Sequence, residues 1–293
     1  NDHKYLGASL TNNGTMDWQA GNILFFNSPV ITNTGLWTIT TSSAFGAYNF
    51  TQANITNTGT ITKSGVNTAS FFDITTFLNN GTVNCNGGAF RMVTSGSTFN
   101  NNGTLSFNGG QFLGESGVVF NHNPNAIIKG SGTFRMYSLF TNNGIIAPGA
   151  SPGILAINWI PQPFSANSIV DIEALDKSGP STGHDQITRT DGGAMSLAGT
   201  LNVTESPGVA PGTFTIITSS TSTFSTINLP ACYTSQYNAG NVILTKSAPP
   251  VMTCPANSSV CITTAPYALT GATPPGGVYS GTGVSGGNFD PAT

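Results

Sequence analysis

The sequence predicts an all-β protein, a parallel β-helix (β-solenoid) with about 22 residues per coil. Three observations carry that prediction: a phrase that recurs at constant phase, apolar columns that alternate with polar positions around it, and the lack of a helical period. The phrase reads LTNNGTMDW at 10–18, ITNTGLWTI at 31–39, ITNTGTITK at 55–63, FLNNGTVNC at 77–85, FNNNGTLSF at 99–107 and TNNGIIAPG at 141–149. Its glycines, Gly14, Gly35, Gly59, Gly81, Gly103 and Gly144, keep the period, and the last gap spans two periods with a degenerate copy, FNHNPNAII at 120–128, between them. Self-similarity at this spacing marks a solenoid.

With the glycine as origin, the element on its N-terminal side carries Leu10, Ile31, Ile55, Phe77, Phe99 and Phe140 four residues before it. The element on its C-terminal side carries Met16, Trp37, Ile61, Val83, Leu105 and Ile146 two residues after it, then Trp18, Ile39, Lys63, Cys85 and Phe107 four after it. Lys63 is the misfit, and calls for a local bulge or a side chain that snorkels to water. Alternation of period 2 means strand. Coils laid parallel at about 4.8 Å turn these columns into buried rows of like residues. A helix fails because glycine recurs in every copy, β-branched residues dominate and no apolar set at i, i+3, i+4 persists. Antiparallel hairpins suit the NNG and NTG turns but give no reason for one phase to persist from coil to coil.

Between the two apolar columns stands a fixed amide: Asn12, Asn33, Asn57, Asn79, Asn101 and Asn142. Asn tolerates left-handed backbone and bonds its neighbours, so the column reads as an architectural ladder at the corner of each coil, not as a ligand site. A third element follows from NGGAFRM (86–92), NGGQFLG (108–114) and GTFRM (132–136), which place Phe90, Phe112 and Phe134 in another buried row.

Composition narrows the function. Of 293 residues 38% are hydrophobic, enough for a core, while only 6% are charged and the formal net charge is -3. Eight scattered Lys and Arg give no basic stripe for nucleic acid. No window approaches the roughly 18 apolar residues of a spanning helix, and the start, NDHKYLGASL, with neither initiator Met nor apolar signal core, reads as that of a mature fragment or processed protein. Cys85 occupies a buried-column position and reads as a small hydrophobe. Cys254 and Cys261 in TCPANSSVC can close a small disulfide loop in an oxidising compartment; two free thiols are the alternative.

Past Gly144 the phrase turns into APGASPGILAIN, where two prolines and two glycines break the strand rhythm. This segment resembles the PGxSPGxL signature near the end of β-helical passenger regions in bacterial autotransporter-like surface proteins and secreted adhesins. The downstream stretches SIVDIEAL (168–175), HDQITRTDGGAMSLAGTLNVT (184–204) and PGTFTIITSSTSTFSTINLP (211–230) share that resemblance. With residues 1–146 as the solenoid repeats, it implies that 147–246 continue or cap them. SAPPVMTCP (247–255) reads as a linker. Residues 256–293 resemble the first half of an immunoglobulin-like repeat of multi-domain secreted Bacteroidetes proteins, truncated at Thr293 before a sandwich can close, with further domains of the same parent chain expected. The resemblance implies a bacterial cell-surface location, a type 9-like (type IX) secretion route, and surface glycans or other cell-surface and secretion proteins as partners.

The chemistry is sparse, and no catalytic residue is assigned. Polysaccharide lyases and hydrolases on parallel β-helices need clustered carboxylates. Between residues 14 and 150 only Asp17, Asp73 and Glu115 are available. Asp73 and Glu115 share a face two coils apart, with Arg91 between them. His184 and Asp185 in HDQ invite a catalytic reading, but the resemblance places this Asp in the strand pattern. Calcium is the one cofactor to weigh, because Asp171, Glu173, Asp176, Asp185 and Asp191 fall in one acidic stretch; no EF-hand or GGxGxD spacing supports it. The sequons at Asn13, Asn80 and Asn102 arise from the repeat's own NGT phrase. Outward positions of the strands read Thr15, Thr38, Thr60, Thr62, Thr82 and Thr104, a flat hydroxyl array for ice or a glycan, or simply threonine favoured on exposed strands. The expectation is an extracellular structural or adhesive protein, a rigid solenoid that displays or spaces binding surfaces. A polysaccharide-active β-helix enzyme and an ice- or glycan-binding threonine face are the alternatives.

Overall fold

Each copy of the repeat forms two short strands with the glycine at the corner between them: Leu10–Asn12 and Thr15–Trp18, Val30–Asn33 and Leu36–Ile39, Ala53–Asn57 and Thr60–Lys63, and so along the chain. This is a computed structural model; it describes residues 3–49, 51–149, 152–159 and 164–293, among which there is no helix. Ala150 and Ser151 of the PGASPG turn lie outside the described residues. The chain divides into two units, Asn1–Lys246 and Ser247–Thr293.

In the first unit successive coils pair parallel and in register. Met16, Trp37, Ile61, Val83, Leu105, Ile128, Ile146, Val170, Leu201 and Ile227 stand above one another without interruption. The result is a β-solenoid of about ten turns at a spacing of about 22 residues. The strands preceding the glycine form a separate seven-stranded sheet, in which Leu10, Ile31, Ile55, Phe77, Phe99, Phe120 and Phe140 are the aligned column. The third row aligns Ala69, Phe90, Phe112, Phe134 and Ile157. The degenerate copy enters the ladder through Phe120 and His122, spends Asn123 to Asn125 on a tight turn, and rejoins at Ile127.

Stacking like on like brings aromatic rings into contact along the axis and across it. Phe77, Phe99 and Phe120 stack at 4.7 and 4.8 Å, and Phe99 meets Phe112 of the next row edge-on at 5.0 Å. Each fully buried ring contributes about 1.5–3 kcal/mol of burial, and offset or edge-on pairing adds to that. The repeat glycine is fixed by crowding: a Cβ on Gly81 would lie 2.1 Å from the carbonyl oxygen of Gly59, and one on Gly103 2.1 Å from that of Gly81.

The amide column is a hydrogen-bonded ladder. Each Nδ2 donates to the next Oδ1, Asn33 to Asn57 at 2.7 Å, Asn57 to Asn79 at 2.8 Å and Asn79 to Asn101 at 2.7 Å. Each also donates to a backbone carbonyl, as Asn79 does to Thr104 at 3.1 Å. His122 replaces the amide in the sixth coil: Asn101 donates to its Nδ1 at 3.1 Å, and its Nε2 reaches the Ile145 carbonyl at 3.0 Å. Taking both ring contacts at once needs the neutral Nε2–H form, and burial pushes the His122 pKa down to about 4, against the raising effect of its bond to Ile145.

Lys63 corrects the sequence expectation. Ile39, Lys63 and Cys85 pair in unbroken register, so there is no bulge, and the side chain has no solvent-exposed surface. Its ammonium curls back to donate to the carbonyl of Ser64 at 2.5 Å. Burial lowers its pKa, because the charged form loses its hydration and gains a single acceptor in return.

Beyond Asn142 the seven-stranded sheet ends, and coils lengthen on the other two faces; Asp171 and Asn202, paired in register, are 31 residues apart. The parallel order closes on an antiparallel hairpin: Asn241–Lys246 pairs with Gly212–Ile217 on one side and Tyr233–Asn238 on the other. The second unit holds three short antiparallel strands, Tyr267–Ala268, Val284–Ser285 and Asn288–Phe289, and none of its residues is buried. Cys254 and Cys261, for which the sequence leaves a disulfide and two free thiols open, are both free and exposed, in a segment without a strand.

Candidate functional site

The outward threonines lie on the face of the strands that follow the repeat glycine. Thr60, Thr82 and Thr104 stand side by side on adjacent coils, whereas Leu36 separates Thr15 from Thr60. Thr38 and Thr62 belong to a second column, flanked by Asp17 and Asn84. This second column bonds to itself: the Thr38 hydroxyl donates to Asp17, and the Asn84 amide donates to the Thr62 hydroxyl at 3.3 Å. A continuous row of threonines facing solvent is therefore three residues long, and Ile127 follows Thr104 in it. The sequon amides of Asn80 and Asn102 form an outer ladder with Asn123, Asn102 donating to Asn80 at 2.8 Å and Asn123 to Asn102 at 2.5 Å.

The carboxylates of the repeats are engaged. Arg91 and Glu115 form an ion pair at 2.7 Å between neighbouring coils. Asp73, held at a positive φ of 56°, accepts from the Thr94 hydroxyl at 3.3 Å and from the backbone N–H of Ala47 at 3.4 Å. The structure thus brings Arg91 to Glu115 and ties Asp73 into the turn beside it.

His184 and Asp185 point to different partners. His184 packs edge-on to Phe214 at 5.5 Å, and its Nε2 lies 3.3 Å from the Thr215 carbonyl. Asp185 is buried and clamps two segments at once: Oδ1 accepts the N–H of Gly153, in the PGASPG turn, and Oδ2 that of Glu173, both at 2.8 Å. Burial drives its pKa up to about 6, against the two N–H donors that favour the carboxylate. The turn and the HDQ segment are therefore two halves of one contact. A Cβ on Gly149 would meet Asp185 Oδ1 at 2.4 Å, and its φ of 85° also requires glycine there.

Lys129, Asp171, Glu173 and Asp185 line a shallow depression of about 350 Å³ over this clamp. The rest of the acidic stretch is dispersed. Asp171 accepts from Asn202 at 2.9 Å, Asp176 from the N–H of Ser178 at 2.7 Å, and Asp191 pairs with Arg189 at 2.6 Å. Among the described residues no three His, Cys, Asp or Glu side chains gather as a metal-binding group.

A further cluster lies beside the repeat columns: Arg135, Tyr137 and Trp159. Tyr137 and Trp159 are 40% and 49% exposed, with ring centroids 5.4 Å apart and planes tilted by 34°. The sequence does hold a trace of it, since FRM occurs at both 90–92 and 134–136; Arg91 and Arg135 occupy the same phase two coils apart, and the first FRM is followed by Val93 where the second is followed by Tyr137.

Compared with known proteins, the chain matches no family model and no curated sequence.

Proposed function

We propose that this chain is a structural and adhesive module of a bacterial cell surface, a stiff spacer that holds binding surfaces away from the cell. The observation that carries the reading is the unbroken parallel register from Met16 to Ile227, since it makes the first unit one continuous ladder. A 6% charge content and carboxylates committed to neighbours leave little chemistry for turnover and much neutral amide and hydroxyl surface for contact. The PGASPG turn and the HDQ segment, alike in kind to those of β-helical surface proteins, point the same way.

Two measurements on the whole chain test it. Antibody against residues 1–246 labels intact producing cells, and beads coated with the chain adhere to glycan-bearing surfaces above albumin-coated beads. Antigen found only inside the cell, or beads that behave like the albumin control, refutes the proposal.

A further inference from the structure

We infer that Arg135, Tyr137 and Trp159 form a binding site for an acidic saccharide of the uronate type, with Arg135 taking the carboxylate and the two rings taking the sugar face. This rests on the reading that the solenoid presents binding surfaces, and names one of them.

Charge selects the ligand. Two coils below, Arg91 spends its charge on Glu115 of the intervening coil. Arg135 lies one pairing step beyond Leu113 in the same outward column, and Tyr137, two residues on in the same coil, stands at the phase of Glu115. Among the described residues Arg135 has no carboxylate partner: the ion pairs are Arg91 with Glu115, Arg189 with Asp191 and Lys246 with Glu205. Its Nη1 donates to the Tyr137 hydroxyl at 3.4 Å, a long bond, and its Nε is buried without an acceptor. The buried Nε keeps the guanidinium plane fixed, and its Nη end is left to take a carboxylate end-on.

The aromatic pair selects the saccharide. Of the three tryptophans Trp18 and Trp37 are buried, and Trp159 alone faces solvent. Its backbone sits in the left-handed region at φ 67°, a strained choice for a bulky residue, and Asp191 holds it there by accepting the Trp159 N–H. Asp191 is neutralised by Arg189 at 2.6 Å, so this support does not cancel the positive charge of Arg135. The electron-rich faces of Tyr137 and Trp159 attract the polarised C–H groups of a pyranose ring, and a neighbouring cation fixes which sugars fit. An acidic peptide would satisfy the arginine but leaves the ring faces without such a partner.

The probes are hexamers of galacturonate and of mannuronate, their methyl esters, and hexaglutamate, added to the full chain while Trp159 emission is followed. The expected result is quenching by at least one uronate hexamer, weakened about ten-fold or more by methyl esterification and by Arg135→Gln, as the loss of a charge-assisted bond predicts. Trp159→Gly, which keeps the left-handed backbone, abolishes the heat of binding in calorimetry while the circular dichroism is unchanged. The inference is overturned if neither hexamer binds at millimolar concentration, if Arg135→Gln or Trp159→Gly leaves binding intact, or if hexaglutamate binds as well as both uronates. Coated beads that still adhere in any of these cases leave the broader proposal standing and remove this site alone.

Discussion

Replacing His122 by Asn restores the amide column and removes a proton-sensitive joint from the solenoid. His122 is neutral in the fold, because Asn101 donates to Nδ1 and Nε2 donates to the Ile145 carbonyl. Its pKa falls from 6.5 to about 4. At about 1.4 kcal/mol per unit, that difference is worth about 3 kcal/mol. The sign follows from which state binds the proton: between pH 6.5 and 4 the unfolded chain is protonated first, so the contribution is whole above 6.5 and lost as the pH falls toward 4. Asp185 works in the opposite direction. Its pKa is raised from 3.8 to about 6, so the folded chain takes up the proton first and acidification through this window adds stability of similar size. The two contributions oppose each other over this window, and the variant isolates that of His122. Urea midpoints followed by circular dichroism at pH 7.5 and 4.5 measure the separation. His122→Asn gains about 2–3 kcal/mol relative to wild type on moving between these pH values, whatever its offset at pH 7.5. An equal difference at both pH values, or a His122 titration observed near 6.5, refutes the assignment.

Three other perturbations probe the same structure. Phe99→Ala removes a ring stacked on Phe77 and Phe120 and costs about 3–5 kcal/mol in urea unfolding. Asp185→Ala leaves the N–H groups of Gly153 and Glu173 without acceptors, costs about 2–5 kcal/mol, and accelerates hydrogen exchange at those two amides ahead of the repeats. Lys63→Met keeps the buried stem and removes an ammonium with one acceptor, so it stabilises by about 1–3 kcal/mol and abolishes the rise in wild-type stability that the lowered lysine pKa produces between that value and 10.5; a loss of stability contradicts the buried placement.

The coils were legible because their determinants are local and periodic. One residue type at one phase, such as Asn57 above Asn33 or Phe99 above Phe77, can be lined up on paper before any contact is known. Lys63 illustrates the boundary of that reading: its phase shows that it points inward, but whether the ammonium reaches water depends on the reach of the stem and the corner carbonyl of Ser64. The insertion after His122 hid the true alignment of Ile128 with Leu105, because a turn can lengthen without disturbing the ladder on either side. Asp185 and Gly153, 32 residues apart, meet only through the stacking of long coils, and no spacing rule reports it. Of the Arg135 cluster only the repeated FRM was legible, since Trp159 follows a non-repeating strand and its N–H is held by Asp191.

Reversing the chain direction at the last large face has a consequence for self-association. A stack of parallel strands offers its open end as a template for another molecule of the same kind, and repetition of that docking makes fibres. Here the strand Gly212–Ile217 is already occupied by Asn241–Lys246 running the other way, which in turn is sealed by Tyr233–Asn238. A newcomer arriving in the original sense meets a mismatched hydrogen-bond pattern there, so on this face the particle ends with its own molecule instead of seeding a polymer.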